Sequence, residues 1–146
     1  MIDKTMIRMN HKVKRMIPVN SEKNVMVCVT QQKTCERLIR KGAAIRDAQG
    51  GRLLVVHVTP TSLKILGNYS QPEALDYLYE ISKSMDAEMT VIRSTETVKT
   101  LVDFCRDHEV VTVVMGESLR PSRENTIIDE LSQKLGKQTA IKIVPV

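Results

Sequence analysis

The chain has 146 residues, 42% hydrophobic and 27% charged, enough for one domain with a substantial core. Three Tyr, one Phe and no Trp leave no ring platform on which single-stranded nucleic acid would stack. The net charge of +5 is concentrated at the start, where residues 1–23 carry six basic and two acidic side chains; the remainder is close to neutral, so no nucleic-acid partner is expected.

Residues 1–23 read as an N-terminal extension to a domain over residues 24–146. In the extension Ile2, Met6, Met9, Val13 and Met16/Ile17 follow a 4-3-4-3 spacing, with Lys4, Arg8, Lys12, Lys14 and Arg15 mostly elsewhere. That pattern predicts a basic amphipathic helix ending before Pro18. It would dock on a partner subunit, remain a disordered arm, or lie on an anionic membrane surface, the last being the least expected. No apolar run follows the charged start as in a signal peptide, and none approaches the roughly 18 residues of a membrane span. Cys28, Cys35 and Cys105 lack the CxxC spacing of a metal or redox site. Cys28 in a strand and Cys105 on an apolar helix face act as small hydrophobes, and the expected compartment is a reducing cytoplasm.

From Asn24 onward, apolar runs alternate with helical periodicity. Asn24–Thr30 (NVMVCVT) is a continuous apolar run, the pattern of a strand covered on both faces. Thr34–Gln49 has Cys35, Leu38, Ile39, Gly42 and Ile45 near helical spacing, and Gly50-Gly51 stops it. Arg52–Thr59 (RLLVVHVT) is a second buried strand. After a connection, Ser70 and Glu73 form a capping box, with Pro72 in the first turn of a helix to about Ser84 that buries Ala74, Leu78, Ile81 and Met85. Glu88–Ser94 is the third strand, and Thr95–His108 a helix with Val98, Leu101, Val102 and Cys105 on one face. Val110–Gly116 is the fourth strand, Asn125–Leu135 a helix closed by Gly136, and Thr139–Val144 a fifth strand with Pro145 at its end. Five such units predict a three-layer α/β/α sandwich with a five-stranded parallel sheet. Ligands of such sheets lie beyond the carboxyl ends of the strands, where the strand order reverses. The loops after strands one and four, Thr30–Thr34 and Gly116–Asn125, are the neighbours of that crevice.

The stretch VMVCVTQQKTCERLIRKGAAIRDAQGGRLLVVHVTP resembles the start of a universal stress protein domain, and VKTLVDFCRDHEVVTVVMGESLRPSR resembles its second half. The likeness is greatest to the version carried inside KdpD-type potassium-sensing histidine kinases and spans about residues 24–146. It implies an adenine-nucleotide alpha hydrolase-like fold with strand order 3-2-1-4-5, and dimerisation through the fifth strand in many members. Some members bind ATP through a G-x-x-G-(x)9-G-(S/T) loop after strand four, with an Asp at the end of strand one. Glycines let backbone N–H groups approach phosphates, and the next helix adds its N-terminal dipole.

Against that pattern Gly116 matches the first glycine, Leu119 stands at the second, Asp129-Glu130 fall at the Gly-Ser pair, and Thr30 replaces the Asp. A leucine and two carboxylates in a phosphate loop oppose a triphosphate, so no cofactor is expected and ATP and AMP are disfavoured. The replacement loop nevertheless gathers Ser118, Arg120, Ser122, Arg123 and Asn125, and arginine matches phosphate geometry with paired donors. With Thr30, Gln32 and Gly116 these residues form the candidate ligand site, here for a smaller or cyclic phosphate. The competing interpretation is a solvated loop in which Asn125 merely caps a helix. Cyclic di-AMP is not assigned, because neither Thr30-Gln31-Gln32 nor Leu53–His57 matches the patterns that the resemblance associates with it.

His57 is expected at a strand end with local hydrogen bonds, His108 as a helix C-terminal cation, and Asp103 with Asp107 as solvated surface. No H-E-x-x-H, G-x-S-x-G or P-loop occurs, so no enzyme is expected. The expected function is a non-enzymatic universal-stress-type regulatory or signalling module, acting through a homodimer and a protein partner. The alternative is a sensor binding an adenine nucleotide or another phosphate compound at the crevice. The expected dimer edge is Thr139, Ile141, Lys142, Ile143 and Val144, since an edge strand leaves N–H and C=O groups to be paired.

Overall fold

A computed structural model describes residues 23–30, 33–59, 72–117 and 123–145. Residues 1–22 of the N-terminal extension, with the amphipathic helix expected there, the connection at 60–71 that includes the capping Ser70, the loop segments 31–32 and 118–122, and residue 146 lie outside the described residues. Five strands are present: β1 (Asn24–Cys28), β2 (Leu53–Thr59), β3 (Glu88–Arg93), β4 (Val110–Gly116) and β5 (Ala140–Val144). The helices are α1 (Glu36–Gln49), α2 (Pro72–Ser84), α3 (Thr97–Asp107) and α4 (Arg123–Leu135), with single 3-10 turns before α1 and after α4. All strand pairings are parallel and the order is β3-β2-β1-β4-β5.

Strand alternation sorts the core into two layers. Val25, Val27, Leu53, Val55 and Val114 face α1 and α2, where Leu38, Ile39, Ala43 and Leu78 cover them. Met26, Leu54, Val56 and Val113 face α3 and α4, against Leu101, Phe104, Cys105 and Leu131. The central strands are therefore covered on both sides, which is why their sequences are nearly continuous apolar runs, broken within β2 by the buried His57 and within β4 by the buried Thr112. The edge strands β3 and β5 are only half-buried, and Val91 and Ile143 are 50% and 40% exposed.

Several boundaries differ from those expected, for local reasons. The third helix starts at Thr97 rather than Thr95, because the Ser94 hydroxyl accepts from the Glu96 N–H at 3.0 Å and from the Thr100 hydroxyl at 2.8 Å, holding a turn ahead of the helix. β1 ends at Cys28; the Val29 N–H still donates to the Val56 carbonyl at 3.0 Å, whereas that of Thr30 turns to the Cys35 sulfur. Thr139 precedes β5 rather than opening it; its hydroxyl donates to the Val110 carbonyl at 3.3 Å. The last helix begins at Arg123, so Asn125 lies within its first turn and is not its cap.

At the amino ends of the strands, Asn24 is fully buried and its amide joins three segments. Its Nδ2 donates to the His108 carbonyl at 2.7 Å, and its Oδ1 accepts from the Arg52 N–H at 2.8 Å. Beside it Gly51 has φ 113°, and a Cβ there would collide with the Lys23 carbonyl oxygen. Only glycine serves that position.

Candidate functional site

The first two helices pack on one face of the sheet and the last two on the other, so the chain parts between β1 and β4. The crevice opens there, at the carboxyl ends of those strands. Of the residues expected to line it, Thr30 and Gly116 are described. Gln32, Ser118, Arg120 and Ser122 lie outside the described residues, as do the side chains of Arg123 and Asn125, although the backbone of both belongs to α4.

Thr30 is exposed just past β1. Its N–H donates to the Cys35 sulfur at 3.3 Å and its hydroxyl lies 3.4 Å from the same atom. The buried Cys35 thus ties the β1 exit to the start of α1, a role that its spacing did not announce. His57 reinforces this exit. It is the fifth residue of a seven-residue strand, buried rather than at a strand end, and its Nδ1 lies 3.0 Å from the Val29 carbonyl. A carbonyl can only accept, so the proton of that bond sits on Nδ1.

Gly116 closes β4. The space that a Cβ would fill is bounded by Leu38 at 3.4 Å and by the Nη2 of Arg37 at 3.8 Å. Arg37 is exposed in the first turn of α1, and its Nη1 donates to the Pro145 carbonyl, just past β5, at 2.9 Å. This guanidinium at the crevice was not singled out from the sequence, where it is one of two arginines in an ordinary helical E-R-L-I-R. Next to it Glu36 accepts from the Tyr77 hydroxyl and, at 2.7 Å, from Arg40 Nε. The Tyr77 bond first, and then Arg40, hold the Glu36 carboxyl below its usual range; the Glu36 bond pushes the Tyr77 phenol up.

The other polar candidates serve the structure. Asp103 pairs with Lys99 at 3.1 Å and with Arg106 at 3.3 Å on the surface. His108 ends α3, stacks on Phe104 with ring centroids 3.9 Å apart, and has Nδ1 3.0 Å from the Phe104 carbonyl. Burial pushes the Cys105 thiol up to about 12 and raises Cys28 further, so neither supplies a thiolate near neutral pH. Among the described residues there is no cluster of His, Cys, Asp and Glu that could hold a metal ion, and no helix long and apolar enough to cross a membrane.

Two surface hollows of about 500 Å³ each lie at the amino ends of the strands. One is lined by Arg46, Arg52, Asp86 and Glu88, the other by Arg106, Glu109, Lys134 and Gln138. Both are wide open and at the wrong end for a parallel-sheet ligand site.

At the fifth strand, β5 pairs with β4 on one side and, among the described residues, ends the sheet on the other. Ile141 and Val144 pack partly into the two core layers, whereas Lys142 and Ile143 are exposed.

Residues 22–144 match the universal stress protein family. The chain belongs to that family. It is 30% identical over 110 residues to the sensor protein KdpD of Mycobacterium tuberculosis, covering 75% of this chain but only 12% of the length of that relative. A universal stress protein from Archaeoglobus fulgidus has a similar structure, with a TM-score of 0.60, 20% identity, and coverage of 92% of this chain and 97% of that one. The universal stress protein from Archaeoglobus fulgidus in complex with dAMP gives a TM-score of 0.59 and 20% identity, over 85% of this chain and 98% of that one. At such identities these two likenesses show the fold.

The family pattern also exposes a misplacement. Its spacing would keep the loop after β4 open to residue 129, but here α4 begins at Arg123. Asp129 and Glu130 are exposed residues inside that helix, not part of a phosphate loop. The connection between this universal stress protein's β4 and α4 is therefore short, and the electrostatic objection attached to those two carboxylates falls away.

Proposed function

We propose that the protein is a non-enzymatic regulatory or signalling module of the universal stress type, working in the cytoplasm as a homodimer that contacts a protein partner. The observation that carries this reading is the outer edge of β5, which no strand covers among the described residues and on which Lys142 and Ile143 are exposed. Antiparallel pairing of two such edges satisfies their N–H and C=O groups with two-fold symmetry. The internal partners of His57, Asp103 and the buried thiols favour a structural use of these groups over catalysis. The likeness to a segment of KdpD adds support for signalling. Light scattering at micromolar concentration should report about twice the monomer mass. Lys142→Pro and the surface change Ile143→Asp should both lower it; a wild-type monomer overturns the dimer.

A second reading is favoured by one observation, the Arg37 guanidinium beside Gly116, together with a dAMP complex of a relative. In it the crevice is a sensor site for an adenine nucleotide or another phosphate compound, with Thr30, Gln32, Gly116, Ser118, Arg120, Ser122, Arg123 and Asn125 as its lining. Leu119 and the short connection still oppose a triphosphate. Titration calorimetry with ATP and magnesium should show nothing tighter than about 100 μM, roughly −5.5 kcal/mol. A micromolar ATP complex overturns that restriction.

A further inference from the structure

We propose that Arg37 is the anion anchor of the crevice, holding the phosphate of a phosphate monoester, such as a nucleoside monophosphate, against the backbone at Gly116. This inference rests on the sensor reading above and assigns the residue that performs it.

Three independent features of the structure carry it. The first is position. α1 leaves toward one face of the sheet and α4 toward the other, and the Arg37 side chain reaches from the first turn of α1 to the ends of β4 and β5. A guanidinium there lies where a doubly wound sheet presents backbone to a ligand. The second is partnership. Arg40, Arg46, Arg52 and Arg106 each hold a carboxylate: Glu36, Asp47, Glu88 and Asp103. Arg37 instead gives one donor to a neutral carbonyl, Pro145, which fixes the plane of the group without neutralising it. A guanidinium has five N–H donors in a rigid fork, so the Nη2 side remains for an acceptor. The third is room. Where a Cβ at Gly116 would sit, the nearest atoms are Leu38 at 3.4 Å and Nη2 at 3.8 Å, so with glycine a ligand oxygen can approach the backbone from the Nη2 side. A phosphate oxygen is the acceptor that best fits a charged fork beside that partly buried backbone.

The test is an NMR titration of the full chain, following backbone amides and the Arg37 Nε–H signal, with AMP, inorganic phosphate and adenosine as probes. Wild-type protein should shift Arg37 and Gly116 with AMP and with phosphate, but not with adenosine. Arg37→Gln should lose at least about tenfold in AMP affinity, and Arg37→Lys, which keeps the charge without the fork, should fall between. Gly116→Ala leaves the charge in place and fills the space beside Nη2, so it should weaken AMP even if Arg37→Gln fails to fold. AMP binding by a folded Arg37→Gln chain as tight as wild type overturns the assignment while leaving the sensor reading intact. Unaltered AMP binding by Gly116→Ala also overturns it. No response of wild type to AMP or phosphate removes both the sensor reading and the anchor.

Discussion

At the amino ends of its strands the sheet is cross-linked around the buried Asn24, which bonds to Arg52 and His108; beside it Gly51 lies against Lys23, and Arg46 donates to the Met85 carbonyl at 2.7 Å. At the carboxyl ends the ties are a thiol accepting from Thr30, the buried His57 on the Val29 carbonyl, and an exposed arginine on Pro145. The contrast teaches where this protein fixes its strand register and where it keeps a guanidinium facing solvent. The buried Asn24 amide holds strand register at one end, while the end that parallel sheets offer to ligands combines the buried His57 bond with an exposed guanidinium.

Substitutions at the two ends should separate in size. Gly51→Ala is the most damaging, because it adds backbone strain at φ 113° to a collision with Lys23; a loss of roughly 3–5 kcal/mol is expected by urea denaturation. A loss below about 1 kcal/mol would show that the amino end yields easily. Asn24→Ala leaves the Arg52 N–H and the His108 carbonyl without their buried partner, for about 2–4 kcal/mol by the same measurement.

The contact between Glu36 and Tyr77 joins α1 to α2 near the crevice and should matter less. Its pH dependence has a definite sign. The folded-state value of Glu36 is depressed, so its contribution is present above the ordinary carboxylate value and is lost as pH falls through the folded one. The value of Tyr77 is raised, so its contribution is present below the ordinary phenol value and is lost as pH rises through the folded one. Thermal melts of wild type and Tyr77→Phe should therefore differ most on the plateau between these limits and converge toward either extreme. A difference that does not vary with pH would assign the effect to packing alone. Smallest of all, Arg37→Gln should change stability by no more than about 0.5 kcal/mol, since its one bond is exposed. A loss as large as that of Asn24→Ala would make Arg37 a structural tie of the same kind as the amino end.

Much of the fold was legible because burial on both faces leaves a plain signature. Val25–Cys28 and Leu53–Val56 are apolar without alternation, Val110–Val114 is so but for Thr112, and each lies in a strand of the central sheet. The Ser94 turn shortened the third helix because a hydroxyl competed with helical bonding, a choice that apolar periodicity does not register. The site was read less well. Asp129 and Glu130 were placed by counting from Gly116, and a count cannot see that α4 starts early. From the sequence His57 reads as a strand-end residue, whereas its bond to the Val29 carbonyl depends on the neighbouring segment.

The sequence alone therefore determined the alternation of strands and helices, the two-sided burial of the central strands and, through its resemblance, the family. Hydrophobic periodicity and glycine placement are properties of neighbouring residues, and folding preserves them. Tertiary structure alone decided that Cys35 meets Thr30, that Asn24 bridges Arg52 and His108, and that Arg37 lies over Gly116 with its bond on Pro145. Arg37 and Pro145 are 108 residues apart in the chain. They meet because β5 returns beside β4 and brings its end level with the first turn of α1, and no local pattern in either segment encodes that meeting.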